Sequence, residues 1–382
     1  MELYIHIPFC RKKCRYCSFA SFVGKEAYFE TYVDHLLKEA SFRISEAEEP
    51  VTTVYIGGGT PSLLPPVLLE KLILGLKKIY GFDSLSEFTS EANPGTVTKD
   101  WISAASGLGI NRLSFGMQAS QEHLLSLLGR IHRPEDVASS FRLARDAGIT
   151  NISLDLIFGI PGQTESDWSD TLNTALSLSP CHISAYGLIP EEGTPLYKDL
   201  QLNRIHLPDP DLERKMYDSA VHLLKSHGFS RYEISNFAQP GFECVHNIGD
   251  WTQIPYIGLG VSAASMSDLK RSVHGMCYRR RANPETLDEY FAMIDKNHAV
   301  TADELISSDA SRFETIMLGF RMTRGISEDD FCKKHGVFME TLYGDKMRKL
   351  EKSGLLFHEG NYWKMTDRGL DIQNSILVEL MD

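Results

Sequence analysis

The sequence has no apolar stretch approaching the ~18–20 consecutive residues that a membrane-spanning helix needs. Its start, MELYIHIPFC, lacks a basic segment followed by an apolar one, and Cys10 comes too early for a secretory leader. The two absences give the expectation of a cytoplasmic protein. An excess of positive charge is missing as well: 39 Lys and Arg face 51 Asp and Glu, a net charge of −12. Nucleic-acid binding usually needs a basic face, so no nucleic-acid partner is expected. Repeats and low-complexity tracts are absent, and 42% hydrophobic residues suffice for a full core. A regular disulfide framework is also excluded, because the seven cysteines are odd in number and three of them fall within eight residues.

What is there is an alternation of short β-rich runs and amphipathic helices in the first half of the 382 residues. Strands are predicted at Leu3–Ile7, Thr53–Ile56, Glu87–Ser90, Arg112–Phe115, Ile152–Ile157 and His182–Tyr186. Helical patterns between them include 26–46, 66–80, 121–128, 134–147 and 165–178, with Pro134 opening one helix and Gly148 following it. Six strands alternating with helices argue for an α/β fold with a parallel sheet, open or curled into a partial (β/α)6 barrel. The chain divides into a core over 1–200, an α+β extension over 201–302 and a C-terminal unit over 303–382. In that last unit, helical patterns at 308–322, 327–335 and 339–352 precede a hairpin around Glu359–Asn361, which resembles a winged helix. From residue 340 onward it carries 6 Lys and Arg against 8 Asp and Glu, which favours docking or a lid over DNA binding.

The strongest chemical signal is Cys10-Arg-Lys-Lys-Cys14-Arg-Tyr-Cys17. Scattered at random, the cysteines would make this C-x3-C-x2-C spacing roughly 0.002 times. Three thiolates so spaced can wrap one inorganic centre, and soft sulfur selects zinc, Cu(I) or iron–sulfur. A closed zinc shell requires a fourth ligand, for which His6 is the near candidate. An iron–sulfur cubane would instead keep one iron without a protein ligand, open to a chelating molecule. Zinc, a cluster and plain structural thiols remain three readings of this loop.

The loop directly after a first strand resembles that of the radical S-adenosylmethionine (SAM) superfamily. Tyr4-Ile-His-Ile-Pro-Phe-Cys10, Gly57-Gly-Gly-Thr-Pro-Ser62, Glu91-Ala-Asn-Pro94, Ser114-Phe-Gly-Met-Gln118 and Asp155-Leu-Ile-Phe-Gly-Ile-Pro-Gly162 look like its oxygen-independent coproporphyrinogen III oxidase branch. The resemblance implies a 4Fe–4S cluster on Cys10, Cys14 and Cys17, whose open iron binds the amino and carboxylate groups of SAM. One electron then yields a 5′-deoxyadenosyl radical. It also implies a cofactor site built from Tyr4, Tyr16, Gly58, Gly59, Thr60, Glu91, Gln118, Arg130, Asp155 and Gly187. Read singly, the glycine run is a turn, Glu91 and Asp155 are caps, and Arg130 is a surface side chain. In order, after successive strands, they converge where β/α folds place their chemistry.

Two features separate branches of the family. The oxidases show a further cysteine two residues past the motif, where this chain has Phe19, and an extension before the first strand, where it has Met1-Glu2-Leu3. Both features look like the HemW heme-chaperone group, which carries a His-Asn-x-x-Tyr-Trp pattern. His246, Asn247 and Trp251 match it, with Asp250 in place of Tyr. That resemblance implies heme as ligand, His246 as an iron ligand, Trp251 over the porphyrin face, and a heme-accepting respiratory protein and electron donor as partners. Peripheral membrane contact and a monomer or dimer are compatible with it. The plainer reading makes His246-Asn247 a polar turn and Trp251 a core residue. Lys270, Arg271 and Arg279–Arg281 are propionate candidates or a solvated face. The isolated Cys181, Cys244, Cys277 and Cys332 read as plain thiols, with Cys244 near enough to His246 for a heme role. The oxidase and a zinc-stabilised binding module are the alternative functions.

Overall fold

Strict alternation of side chains along six segments builds the centre of the molecule: β1 (Glu2–Ile7), β2 (Thr53–Gly58), β3 (Glu87–Ala92), β4 (Arg112–Gln118), β5 (Asn151–Phe158) and β6 (His182–Gly187). All six pair in parallel and in sequence order. The structure, a computed structural model, describes residues 1–273, 276–297 and 302–381, with backbone alone over 269–273 and 276–277. The side chains of Lys270, Arg271 and Cys277 fall outside the described set.

One face of each strand is apolar: Leu3, Ile5, Val54, Ile56, Phe88, Leu113, Phe115, Leu154 and Ile183 lie in one buried core. They pack under α1 (Phe29–Arg43), α2 (Pro66–Tyr80), α3 (Lys99–Gly107), α4 (Glu122–Leu128), α5 (Pro134–Asp146) and α6 (Glu165–Ser177), whose Leu36, Leu72, Trp101, Phe141 and Trp168 belong largely to the same core. Helix starts are locally encoded. Thr98 accepts from the Trp101 amide, and Thr164 and Asp167 form a reciprocal capping box. The other strand face is polar, and the register aligns it in rows: Tyr4 beside Tyr55, Glu91 beside Ser114, and Gly116, Asp155 and Ser184 in line. Because Tyr55 of β2 and Tyr186 of β6 line one cavity, the sheet curls into an open barrel with a polar lumen.

The sheet runs on beyond the six strands to a total of twelve. Tyr256–Leu259 joins β1 in parallel, and Ala264–Val273, Met276–Ala282 and Ala302–Ser307 follow antiparallel. Asn236–Ala238 and Ser230–Arg231 close the β6 side. The extension mixes helix and strand, and its strands continue the sheet of the core, which its Gly-rich sequence does not signal. The C-terminal unit has its own core of Phe320, Phe331, Met347, Leu350, Trp363 and Ile376. Its hairpin, Leu356–Glu359 with Tyr362–Met365, gains a third strand at Ile326–Ser327. Among the described residues no helix is long and apolar enough to cross a membrane.

Candidate functional site

The carboxyl ends of the strands open on a cavity of about 480 Å³, a size that suits a small-molecule cofactor. Cys10, Cys14, Cys17, Tyr16, Gly58, Gly59, Thr60, Glu91, Gln118, Arg130, Asp155 and Gly187 all line it. Of the residues that the sequence put forward for the cluster, SAM and heme, Asn247 lines it too, whereas Tyr4, Cys244, His246, Trp251 and Arg279–Arg281 lie outside that lining.

The cysteine loop is pinned from several sides. Phe9–Cys10 pairs in parallel with Phe22–Val23, the Arg15 amide donates to Leu128 O at 2.9 Å, and Leu196 N donates to Arg15 O at 2.9 Å. Lys13 Nζ reaches Phe19 O at 3.0 Å, and Arg15 pairs with Asp199. His6 fixes the loop's far end, with Nε2 donating to Ala20 O at 2.8 Å and Nδ1 accepting from the Tyr4 hydroxyl at 2.9 Å. Tyr4 thus acts on the site through His6. Burial lowers the pKa of His6, and both ring nitrogens are engaged, Nδ1 by Tyr4 and Nε2 by Ala20 O, which removes it as a fourth zinc ligand.

The sulfurs themselves are spread. Thiolates on one zinc ion lie roughly 3.8 Å apart, yet among the described residues the cysteine trio does not gather its donor atoms within 4.8 Å. A wider inorganic core fits this set better than a single ion. Thr60 Oγ1 donates to Cys10 Sγ at 3.5 Å and accepts from Asn93 Nδ2 at 2.8 Å. Arg130 Nη1 points at Cys14 Sγ at 3.6 Å, while Nη2 donates to Asn93 Oδ1 at 2.5 Å and Gly116 O at 2.7 Å. The guanidinium therefore supplies positive charge next to a ligand sulfur and ties the loop to β3 and β4, more than it waits for a substrate carboxylate.

Below the loop lie two acids. Glu91 accepts from Tyr55 Oη at 3.0 Å and from Gly58 N at 3.1 Å. Burial, and then the nearby Asp155, push its pKa up to about 7. Asp155 accepts from Ser114 Oγ at 3.0 Å, and burial raises its pKa as well. Paired acids held away from water suit an ammonium and ribose hydroxyls. The glycines make room for this. Gly58 has φ +109°, and a Cβ there would sit 2.5 Å from the His6 ring, while one on Gly59 would sit 2.7 Å from Phe9 O. Gln118 closes β4 at φ 65° beside a register shift, which turns its side chain into the cavity.

Sequence reasoning missed Asn93, Tyr55, Ser114, Arg112, Ser184 and Tyr186, which also line the cavity. Their signal is the period-2 polar face of the strands, legible once one lumen residue is known.

His246 lies apart from the cysteine cavity. It lies on a helix, Val245–Thr252, that plugs the amino-terminal end of the barrel, opposite the cysteines, and it is only 4% exposed. Its Nδ1 is hydrogen-bonded to Thr53 Oγ1 at 2.8 Å, and its ring stacks on Tyr55 at 5.1 Å. Burial holds its pKa down at about 4. Trp251 is covered by the Arg321 guanidinium, 4.5 Å from its ring, and so is not an open porphyrin platform. Cys244 is buried against Glu87, its Sγ 3.3 Å from Oε1, which leaves it no heme contact. Arg279, Arg280 and Arg281 pair with Asp303, Glu314 and Glu46.

The Radical SAM superfamily profile matches residues 4–175, and the HemN C-terminal domain profile matches residues 306–372. The chain is 35% identical to the heme chaperone HemW of Bacillus subtilis, over 98% of this chain and 97% of that protein. To the heme chaperone HemW of Escherichia coli it is 31% identical, over 99% and 97%. Coproporphyrinogen III oxidase (HemN) from Escherichia coli superposes with a TM-score of 0.83 at 22% identity, over 99% of this chain and 89% of that one, which is a likeness of fold. With these identities over nearly the whole length of both chains, the chain belongs to the HemW family of radical SAM proteins.

Proposed function

We propose that this protein is a heme chaperone of the radical SAM type, acting in the cytoplasm and handing heme to a respiratory acceptor. Cys10, Cys14 and Cys17 would hold a 4Fe–4S cluster, and Glu91, Gln118, Asp155 and the Gly58–Gly59 backbone would hold SAM beneath it. When bound, the pair supplies one-electron chemistry. The chain's own part is to orient the cofactor, to place Arg130 beside the thiolates and to keep water from the acids. Full-length similarity to proteins named heme chaperones supports this reading.

The observation that carries the choice of branch is Phe19. The oxidase pattern has a cysteine at that place, whereas Phe19 stands 66% exposed at the cavity mouth. Ile189 faces the same mouth at 70% exposure, and Lys12 also lines it. An apolar rim with a cation matches a porphyrin face with its propionates, and exposed apolar groups so placed mark a contact surface. His246, sealed under the barrel, is not assigned as the iron ligand.

Heme titration of the cluster-reconstituted protein tests this. Phe19→Asp is expected to weaken heme binding about tenfold, the worth of one partly buried phenyl ring, while His246→Ala leaves the affinity unchanged. Under anaerobic conditions with coproporphyrinogen III, no protoporphyrinogen is expected. Stoichiometric protoporphyrinogen with 5′-deoxyadenosine, or no heme binding by the unmodified protein, would overturn the reading.

A further inference from the structure

The amino-terminal end of the barrel holds a second set of ligand-type side chains, remote from the cysteines. Glu2 at the start of β1 and His246 and Asp250 on the plug helix Val245–Thr252 bring one donor atom each within 4.8 Å of one another. Glu2 is 1% exposed, and its Oε2 is buried with no hydrogen-bond partner, 4.0 Å from His246 Nδ1. A carboxylate oxygen left without a donor in the interior is costly unless something neutralises it. Among the described residues no donor reaches that oxygen, so it is left to a proton or a bound cation to neutralise it.

The surroundings are shaped for the cluster. A Cβ on Gly249 would fall 1.9 Å from Glu2 Oε1, so the helix can lie against Glu2 only because position 249 has no side chain. Thr53 Oγ1 donates to Glu2 Oε1 at 3.3 Å and is hydrogen-bonded to His246 Nδ1 at 2.8 Å. It is thereby an outer partner of both side chains. Asp250 is the exposed member of the trio, which gives an ion a route in from solvent.

We propose that Glu2, His246 and Asp250 form a binding site for one divalent first-row transition metal ion, with zinc as the model occupant. One imidazole nitrogen and two carboxylate oxygens suit such an ion, whereas calcium and magnesium prefer oxygen alone. Ligand atoms in a zinc tetrahedron lie roughly 3.4 Å apart, so the trio closes by a movement on the order of 1 Å, most easily at Asp250, with water in the fourth place. The ion would clamp the plug helix to β1 and set the His246 ring that stacks on Tyr55, whose hydroxyl in turn reaches Glu91. Its role is structural, at the opposite end of the lumen from the cluster.

Zinc titration of the anaerobically cluster-reconstituted protein, against a competing chromophoric chelator, tests the site. The cluster absorbance is followed throughout, so that occupation of the cysteines by zinc is seen and separated. One tightly bound zinc per chain is expected beyond the cluster iron. Asp250→Asn, at an exposed position, is expected to bind it at least tenfold more weakly, since even outer partners of metal sites are worth about 10–100-fold. Glu2→Gln, of the same shape, should weaken it likewise, and zinc should raise the unfolding temperature of the unmodified protein but not of either variant. Equal zinc affinity in the unmodified protein and both variants, or no zinc beyond the cysteine site, overturns the proposal. Heme affinity is read separately, so loss of the chaperone reading leaves this result standing.

Discussion

Glu91→Gln is expected to make the cofactor-free protein more stable at pH 8 and a poorer binder of SAM. In the folded protein Glu91 has its pKa raised to about 7 from an ordinary 4.5. Between those values the folded state holds a proton that the unfolded chain has released, so stability falls as pH rises through this window. Above pH 7 the deficit is complete and amounts to roughly 3 kcal/mol, from 1.36 kcal/mol per pKa unit. Glutamine removes it but presents an NH2 where Glu91 accepts from Tyr55 or Gly58, at a cost of about 1 kcal/mol. The variant should therefore gain about 2 kcal/mol at pH 8 and lose about 1 kcal/mol at pH 4. Asp155 and Glu2 also have raised pKa values and tilt the whole curve the same way, so the difference between variant and unmodified protein is the quantity to measure. Urea unfolding at several pH values gives it, and parallel curves would refute the assignment. The same reasoning makes SAM affinity rise with pH through about 7, because an ionised carboxylate accepts the N–H bonds of the amino group more strongly than a carboxylic acid does. That rise should be flatter in the variant, and SAM affinity above pH 7 at least about tenfold lower, the worth of one charge-assisted bond. An acid that weakens the empty protein and holds a cation well is a stability–function trade-off written in one residue.

The second large effect is expected at Gly58. Alanine there meets two obstacles: a backbone at φ +109° and a Cβ 2.5 Å from the His6 ring. The ring cannot yield freely, since Tyr4 holds one nitrogen and Ala20 O the other. If His6 moves, the cysteine loop loses its tie at Ala20. Overpacking and backbone strain together are expected to cost about 3 kcal/mol, with a severalfold drop in the iron retained after reconstitution. Gly148 is the control: its φ is +87°, but a Cβ there meets nothing within 4 Å. Gly148→Ala should cost about 1 kcal/mol from the backbone alone and retain the iron in full. Equal losses in the two variants would show that the collision with His6 carries no weight.

Much of this architecture is local and so was legible. Each of the six predicted strands lies within an observed one, because apolar positions two apart face the helices whatever the rest of the chain does. Pro66, Thr98 and Thr164 start helices within a few residues of themselves. The cysteine spacing and the strand-end motifs sit at loop positions that the strand order alone brings to one rim.

The plug helix Val245–Thr252 was not legible, and the reason is specific. Its amino-terminal amides at Val245 and His246 are capped by the Glu87 carboxylate, at 2.9 and 3.2 Å, from 158 residues away. Its apolar residues Val245, Ile248 and Trp251 are not the buried ones, and the face turned inward carries His246 and Gly249, so the local pattern points to the wrong side. The extension is similar: Glu39, buried in α1, bonds to the Gly260 amide, Asn283 and Tyr290, and Arg43 bonds to Gly258 O and Ser265, so these five residues are placed by α1 and not by a local pattern.

By itself, then, the sequence determined the α/β body, the cysteine loop and the family pattern, since these rest on periodicity and spacing within short windows. Only the tertiary structure decided that His6 is a strut and not a ligand, that Arg130 serves Cys14, and that His246 lies beneath the lumen with Glu2 and Asp250. Those roles depend on which partner a polar atom meets once water is excluded. The partner comes from a distant part of the chain, where no local pattern records it.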